Sequence, residues 1–348
     1  MSEERKVIDG DLCHQTLFNK VNPKLSFNKN EDYFLWKAQV KDKLNELLGM
    51  ENIYANCAPN DEFKVERKEN KDGYVKIRFT FQSEIDAVVP CYLLLPDTGK
   101  KSYPLAITLQ GHSSGFHNSI GEPKFEGDFE YVKRGDFGVQ AVKRGFAALC
   151  IEQRAMGERM TTRHEWEKYL CLYPAMVALQ LGRTTVGERC FDVSRAIDVI
   201  EKHFNIVDAE KILITGNSGG GTTSFYATCL DERIKICAPS CAFCSYEKSI
   251  LAKRHCACNY IPSASLWFEM QDLSTLIAPR DFIVIAGEFD SIFNIEGVKE
   301  GVERAKLIFD KENAQNKVEL IVTPKGHYWC SDLVWDAIIN RATLLGWF

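Results

Sequence analysis

The chain has 348 residues, of which 45% are hydrophobic and 26% are charged, a balance that is ordinary for a globular protein with a sizeable core. Its formal net charge of -5 at pH 7 argues against nucleic acid and against an anionic membrane as the main partner, because no surplus of basic side chains is available to neutralise phosphates. We recognise no signal peptide and no apolar run of about 18 residues. The 13 cysteines are therefore expected to be reduced thiols, and the expected location is the cytoplasm.

The first 60 residues are predicted to form a helical extension that precedes the main domain, residues 61–348. Trp36, Val40 and Leu44 recur at the spacing of one helix face, and Gly49 follows as a candidate stop. This extension is a candidate lid or subunit contact, so a homo-oligomer is left open.

The strand signals change character along the chain. Apolar and polar residues alternate in two segments, 75–81 and 88–94. This alternation predicts antiparallel strands with one face exposed to solvent. Six short apolar runs follow, separated by helix-like segments, and they lie at 105–109, 146–152, 211–215, 234–239, 282–287 and 318–323. Such runs are typical of strands buried on both faces of a parallel sheet. The order predicts an α/β-hydrolase fold, with a mostly parallel central sheet, antiparallel N-terminal strands and flanking helices.

Two stretches fit the pattern Gly-x-Ser-x-Gly, which marks a serine nucleophile on a sharp turn between a strand and a helix. They are GHSSG at 111–115 and GNSGG at 216–220. An apolar run precedes the second copy and a helix-compatible segment follows it. The first copy is followed by the Gly, Asn, Ser and Pro signals of a loop. We therefore predict Ser218 rather than Ser113 as the nucleophile.

The first copy is expected to have a different task. In this fold the loop after the third strand supplies one N–H of the oxyanion hole, and the residue after the nucleophile supplies the other. GHSSG follows the third predicted strand, and GNSGG follows the fifth. Gly219 and a residue near His112 are therefore the predicted oxyanion donors.

The partners of the nucleophile are expected in the order serine, acid, histidine. Of the two histidines beyond Ser218, His327 follows the last apolar run, where a loop side chain can reach the same edge of the sheet. His255 lies in an insertion with no such strand. The acid is expected after the preceding run, where Asp290 is preferred and Glu288 remains the alternative.

Four cysteines and a histidine within the segment 241–272 raise the question of a metal site. They are Cys241, Cys244, Cys256, Cys258 and His255. Zinc sites usually combine two C-x2–4-C pairs, and the second pair here, C-x-C, is too tight. We therefore predict no metal and no cofactor. The segment is instead a candidate lid with buried or pocket-lining thiols.

Several stretches resemble the acetyl xylan esterase-like α/β hydrolases, near the dienelactone hydrolase and cephalosporin deacetylase families. They are QGH at 110–112, 181–200, TGNSGGG at 215–221, 255–262, 277–295 and GH at 326–327, and together they span roughly residues 70–345. The resemblance implies a serine carboxylesterase that removes acetyl groups from carbohydrate, with the N–H of His112 as the second oxyanion donor. Gln110 stands where the family usually has histidine. Dienelactone hydrolases use cysteine, so the serine makes lactone chemistry the weaker expectation.

The expected partner is a small-molecule or oligosaccharide ester, and Tyr260, Trp267 and Arg183 are candidate pocket residues. An acyl-peptide hydrolase or serine peptidase of the same fold is the alternative. Such enzymes usually carry a large N-terminal domain, for which about 100 residues before the first buried strand leave too little room. A non-catalytic module of the same fold is a third hypothesis, against which the intact order of serine, acid and histidine argues.

Overall fold

In the computed structural model, which describes residues 10–160 and 171–348, one mixed sheet forms the centre of the molecule. Its nine described strands lie in the order β1-β2-β3-β5-β4-β6-β7-β8-β9. The strands are β1 Lys64–Lys71, β2 Tyr74–Glu84, β3 Ala87–Pro96, β4 Tyr103–Leu109, β5 Ala147–Ile151, β6 Val207–Asn217, β7 Ile234–Ser240, β8 Asp281–Gly287 and β9 Val318–Thr323. The first three run antiparallel, and β4 to β9 are parallel to one another. The predicted α/β-hydrolase fold is confirmed.

Helices cover both faces of this sheet. They are α1 Leu12–Phe18, α2 Tyr33–Leu48, α3 Met50–Tyr54, α4 Asp128–Gly135, α5 Phe137–Val142, α6 Leu172–Gln180, α7 Thr185–His203, α8 Gly219–Leu230, α9 Ile295–Asp310 and α10 Ser331–Leu344. Strands β4, β5 and β8 are buried along their whole length, as continuous apolar runs require. No helix in the described part of the chain has both the length and the apolar character needed to cross a membrane.

The sheet has one more antiparallel strand than the sequence pattern predicts. Strand β1 is mostly exposed and charged, with the sequence KVERKENK, so it carries no apolar alternation. It pairs with β2 as the outer edge of the sheet, where charged side chains are typical. GHSSG therefore follows the fourth strand and GNSGG the sixth, rather than the third and fifth.

Helix α2 packs into the main core rather than standing apart from it. Trp36, Val40 and Leu44 are buried in the same apolar cluster as the side chains of β2, β4 and α7. The helix ends at Gly49, whose φ of 73° lies in the left-handed region, as predicted. Its N-cap is Asp32, whose side chain accepts a hydrogen bond from the backbone N–H of Leu35.

Replacing Trp36 by alanine is expected to lower the free energy of unfolding by about 3–5 kcal/mol. The side chain is 3% exposed, and its indole N–H donates to the carbonyl of Leu25 at 2.9 Å. Phe34, which is 68% exposed on the same helix, supplies the control. Phe34→Ala should change that free energy by less than about 0.5 kcal/mol. Urea denaturation followed by circular dichroism measures both, and equally small effects would contradict a shared core.

Candidate active site

Ser218 lies on a strained turn between β6 and α8. Its φ of 57° and ψ of -123° are unfavourable for a residue with a side chain, and such strain costs on the order of 1–3 kcal/mol. The backbone around it is held by hydrogen bonds, from the N–H of Ser218 to the carbonyl of Ser240 at 2.9 Å and from the N–H of Thr222 to the carbonyl of Ser218 at 2.8 Å. The Ser218 hydroxyl makes no capping bond to α8. The turn is therefore that of a nucleophile elbow.

Glycines around the turn let three segments of backbone meet. A Cβ at Gly216 would lie 2.4 Å from the carbonyl oxygen of Leu109, and one at Gly220 would lie 2.1 Å from the same oxygen. Any side chain at either position would push α8 away from the end of β4. These two glycines explain why the elbow motif needs small residues on both sides of the serine.

The loop after β4 lies directly against the elbow. A Cβ at Gly111 would lie 3.1 Å from the Cβ of Ser218, and one at Gly219 would lie 3.1 Å from the ring of His112. The two Gly-x-Ser-x-Gly copies therefore meet at one place, GNSGG as the elbow and GHSSG as the neighbouring loop. This is the arrangement that an oxyanion hole built from both segments requires.

The structure separates the two candidate serines by their surroundings. The Oγ of Ser113 is buried from solvent and has no hydrogen-bond partner among the described residues. As whole residues, Ser113 and Ser218 are both partly buried, but only Ser218 lies on the turn between a strand and a helix. A nucleophile must be reached by its substrate and needs a base nearby. Of the two, Ser218 is the serine whose position suits that role.

Asp290 and His327 form a hydrogen-bonded pair at the same edge of the sheet. The distance between Nδ1 of His327 and Oδ2 of Asp290 is 2.9 Å. The other oxygen of Asp290 accepts from the backbone N–H groups of Ile292 at 2.8 Å and Phe293 at 3.1 Å. Burial raises the pKa of Asp290, but the bond to His327 and the two backbone N–H groups outweigh it and lower the pKa below its usual value. The carboxylate therefore stays ionised and fixes the imidazole.

The alternative residues lie elsewhere. Glu288 is exposed, whereas Asp290 is buried. The bend that brings the His327 loop to β8 depends on Gly287, where a Cβ would lie 2.0 Å from the carbonyl oxygen of Gly326. The ring of Phe293 contacts the imidazoles of both His255 and His327, with centroid distances of 5.3 and 6.0 Å. His255 therefore lies near His327. It lines the cavity described next.

A cavity of about 810 Å³ opens beside the loop after β4. It is lined by His112, Ser113, Ala155, Met156, Cys171, Leu172, Met176, Arg254, His255, Cys256, Ala257 and Tyr260. Much of this wall is apolar, with a few polar side chains, as is usual for small-molecule sites. Its volume is that of a site for a ligand of moderate size. The segment 254–260 forms one side of it, so part of the predicted lid lies at the cavity.

The three predicted pocket residues have different positions. Tyr260 lines the cavity. Trp267 is not among the lining residues, because its ring is covered by the ammonium groups of Lys24 and Lys43, 4.5 and 4.0 Å from its centroid. Arg183 is also absent from the lining, because its guanidinium donates to the buried carboxylate of Glu84 at 2.6 Å.

A buried carboxylate that the sequence analysis missed anchors the loop after β4. Glu152 follows β5, and its Oε1 accepts from Nε2 of Gln110 at 2.7 Å. Its carboxylate also accepts from the backbone N–H groups of Phe116 and Glu158. Gln110, which departs from the family pattern, is therefore the residue that links the loop to β5. An acidic residue at the end of a buried apolar run, FAALCIE, was the available signal.

The cysteine group that the sequence analysis considered and rejected as a metal site is not assembled. Cys244 lies next to the carbonyl of Asn294, away from Cys256 and Cys258. Those two thiols instead meet His112 and Cys171, and the four ligand atoms all lie within 4.8 Å of one another. Two of these partners lie outside the segment 241–272, so the spacing of its cysteines carried no signal for this group.

The sheet order, the elbow and the Asp290–His327 pair define a protein of the α/β-hydrolase class. A model of the Abhydrolase family matches residues 1–313, and the chain belongs to that family. YtaP of Bacillus subtilis (strain 168), whose name describes it as a hydrolase, is 25% identical over 242 residues, which are 69% of this chain and 78% of YtaP.

Two solved structures share the fold at low sequence identity. A Bacteroides fragilis protein, BF1801, described as an acetyl xylan esterase, superposes with a TM-score of 0.78 at 15% identity, over 97% of this chain and 96% of its own. A glucuronoyl esterase from Solibacter usitatus superposes with a TM-score of 0.67 at 16% identity, over 93% of this chain and 99% of its own. Both alignments cover nearly the whole chain.

Stability is expected to depend on pH through Glu152. Burial raises its pKa to about 7, against the opposing effect of the backbone N–H groups of Glu158 and Phe116. The unfolded chain releases this proton near its ordinary pKa of 4.5, so between that pH and about 7 the folded state binds more protons. The contribution of Glu152 to the free energy of unfolding therefore falls as pH rises through this window.

Glu152→Gln removes the proton and should make that slope shallower by up to about 1.4 kcal/mol per pH unit. Urea unfolding at several pH values between about 5 and 7 measures it. Glu130→Gln, at an exposed position of α4 where the side chain is 81% exposed, should leave the slope unchanged. Parallel slopes for wild type and Glu152→Gln would contradict the assignment.

Proposed function

We propose that this protein is a serine carboxylic ester hydrolase that acts through Ser218, Asp290 and His327 on short-chain, acetyl-type esters, including esters of carbohydrates. The observation that carries the proposal is the meeting of the strained Ser218 elbow with the loop of GHSSG, at the sheet edge where Asp290 holds His327. An esterase needs a nucleophile, a base and an oxyanion site at one place.

The roles follow from the hydrogen bond that orients the imidazole. Because Nδ1 of His327 is engaged by Asp290, its Nε2 is the nitrogen that takes the proton from the hydroxyl of Ser218. The serine oxygen then forms a bond to the carbonyl carbon of the ester, and His327 returns the proton to the leaving alcohol. Water repeats the sequence on the acyl-enzyme and releases the acid.

We assign two backbone N–H groups as the hydrogen-bond donors to the oxyanion that forms in both steps. Gly219 is the first residue of α8, where N–H groups have no partner within the helix. The N–H of His112 is the second, and the contact of Gly111 with Ser218 supports it. Removing one such donor costs about 3–4 kcal/mol of transition-state stabilisation in comparable sites.

The substrate class is supported by the cavity and by the names of the related structures. A volume of about 810 Å³ holds a sugar unit or a short oligosaccharide rather than only an acyl group. The two structural neighbours are described as an acetyl xylan esterase and a glucuronoyl esterase. The cytoplasmic location remains a prediction, to which the 13 free thiols are suited. A cytoplasmic enzyme of this kind would act on imported oligosaccharides or small esters.

Ser218→Ala is expected to lower kcat by roughly 10⁴-fold or more, because no other group at the elbow can form the acyl-enzyme. The assay is a panel of p-nitrophenyl esters, acetylated sugars and methyl glucuronate, on which we expect short acyl chains to be preferred. Faster cleavage of methyl glucuronate than of every acetyl ester would contradict the acetyl assignment.

Ser113→Ala is the matched variant, since it removes the same hydroxyl from the other Gly-x-Ser-x-Gly copy. It should keep kcat within about tenfold of wild type. Loss of activity in Ser113→Ala together with its retention in Ser218→Ala would reverse the assignment of the nucleophile.

Asp290→Asn should reduce kcat by about 10⁴-fold, because the amide no longer fixes the tautomer or stabilises the imidazolium of His327. Glu288→Gln, two residues away and exposed, should leave kcat unchanged. Steady-state kinetics on p-nitrophenyl acetate compares them. An inactive Glu288→Gln beside an active Asp290→Asn would exchange the two roles.

A further inference from the structure

Four side chains from three distant parts of the chain converge beside the candidate active site. His112 follows β4, and Cys171 precedes α6. Cys256 precedes a short 3-10 turn, Ala257–Asn259, and Cys258 lies within it. Nε2 of His112 lies 3.1 Å from Sγ of Cys258, which lies 3.3 Å from Sγ of Cys256. One ligand atom from each residue lies within 4.8 Å of every other.

This spacing matches a tetrahedral metal site. With metal–sulfur distances of about 2.3 Å, the corners of a tetrahedron lie about 3.8 Å apart. Two of the observed distances, 3.1 and 3.3 Å, are shorter than that value and none exceeds 4.8 Å, so an ion could be held with shifts of about 1 Å or less. Three thiols and one imidazole are also a ligand set that selects zinc, since thiolates bind soft or borderline ions and disfavour magnesium and calcium.

A buried arginine provides an independent sign that the thiols carry negative charge. Arg189 is 2% exposed, and among the described residues no carboxylate lies within the 4.0 Å of an ion pair. Its Nη1 donates to Sγ of Cys258 at 3.3 Å and its Nη2 lies 3.7 Å from Sγ of Cys171. Its remaining contacts are to the carbonyl of Arg154. A buried cation needs a counter-charge, and a neutral thiol does not supply one.

We propose that His112, Cys171, Cys256 and Cys258 bind one zinc ion. Three thiolates carry three negative charges, which the divalent ion and the guanidinium of Arg189 together neutralise. The N–H groups of Arg189 supply the hydrogen bonds that thiolate ligands usually receive from the surrounding protein. The proposal does not depend on the proposed esterase activity.

The ion has a structural role, because all four positions are filled by protein and none is left for a substrate. It joins the start of α6 and the segment 256–258 to His112, whose ring also contacts Gly219. All three joined parts line the cavity, and the loop of His112 also carries a proposed oxyanion donor. Zinc thus holds the cavity wall against the loop beside Ser218.

The test begins with the wild-type chain, produced without a metal-binding tag and purified under reducing conditions without chelator. Elemental analysis should find about one zinc per chain. Removing the zinc and adding Co²⁺ should produce the intense near-ultraviolet absorption of thiolate-to-cobalt charge transfer, which Zn²⁺ then abolishes. Wild-type protein that contains no metal and gives no such absorption would overturn the proposal. So would a disulfide among these cysteines in the reduced preparation, found by mass spectrometry.

Variants locate the site. Cys256→Ser and Cys258→Ser should each retain less than about one tenth of the wild-type zinc. Cys244→Ser, in the same segment but bonded to the carbonyl of Asn294, should retain all of it. Circular dichroism establishes that each variant is folded, and the cobalt titration of wild type decides the question if one is not. Zinc kept by both ligand variants and lost in Cys244→Ser would place the metal elsewhere.

Discussion

The strained backbone of Ser218 is the constraint on which the candidate site depends. A positive φ at a residue with a side chain persists only where its surroundings hold it. Here the carbonyl of Leu109 fills the space in front of Gly216 and Gly220, and Ser240 binds the N–H of the serine. The central strands and α8 therefore meet at a distance that no other residue permits. Their packing energy supports the strain at the turn.

The same close approach explains why one motif occurs twice. GNSGG needs glycines so that α8 can start against β4, and GHSSG needs Gly111 so that its backbone can lie against Ser218. The two copies of the motif therefore pack against each other. Glu152 and Gln110 then hold the second copy to β5, which keeps the loop in place without a regular element. Gln110, which stands where the resembled family usually has histidine, is the residue that makes this link.

The site and the cavity share residues with the cluster around Arg189. His112 belongs to all three, through its backbone, its cavity-facing ring and its contact with Cys258. Burying a guanidinium without a carboxylate is costly, and the sulfurs are its side-chain partners in the described part of the chain. The buried charge of Arg189 therefore lies beside the candidate active site. In our proposal, the zinc-bound thiolates neutralise Arg189, and the ion holds the loop of His112 in place.

The sequence by itself determined the fold class, the preference for Ser218 and the order of its candidate partners. These are local or ordered signals: continuous apolar runs, a strand followed by a helix, and a histidine after the last strand. The charged stretch 61–73 is typical of a strand edge and turn, but it carries no apolar alternation, so the predicted strand count leaves out β1. Only the tertiary structure decided which cysteines meet, that Trp267 and Arg183 have other partners, and that Glu152 anchors the loop. Those facts depend on contacts between residues distant along the chain, and the spacing of residues in one segment does not encode such contacts.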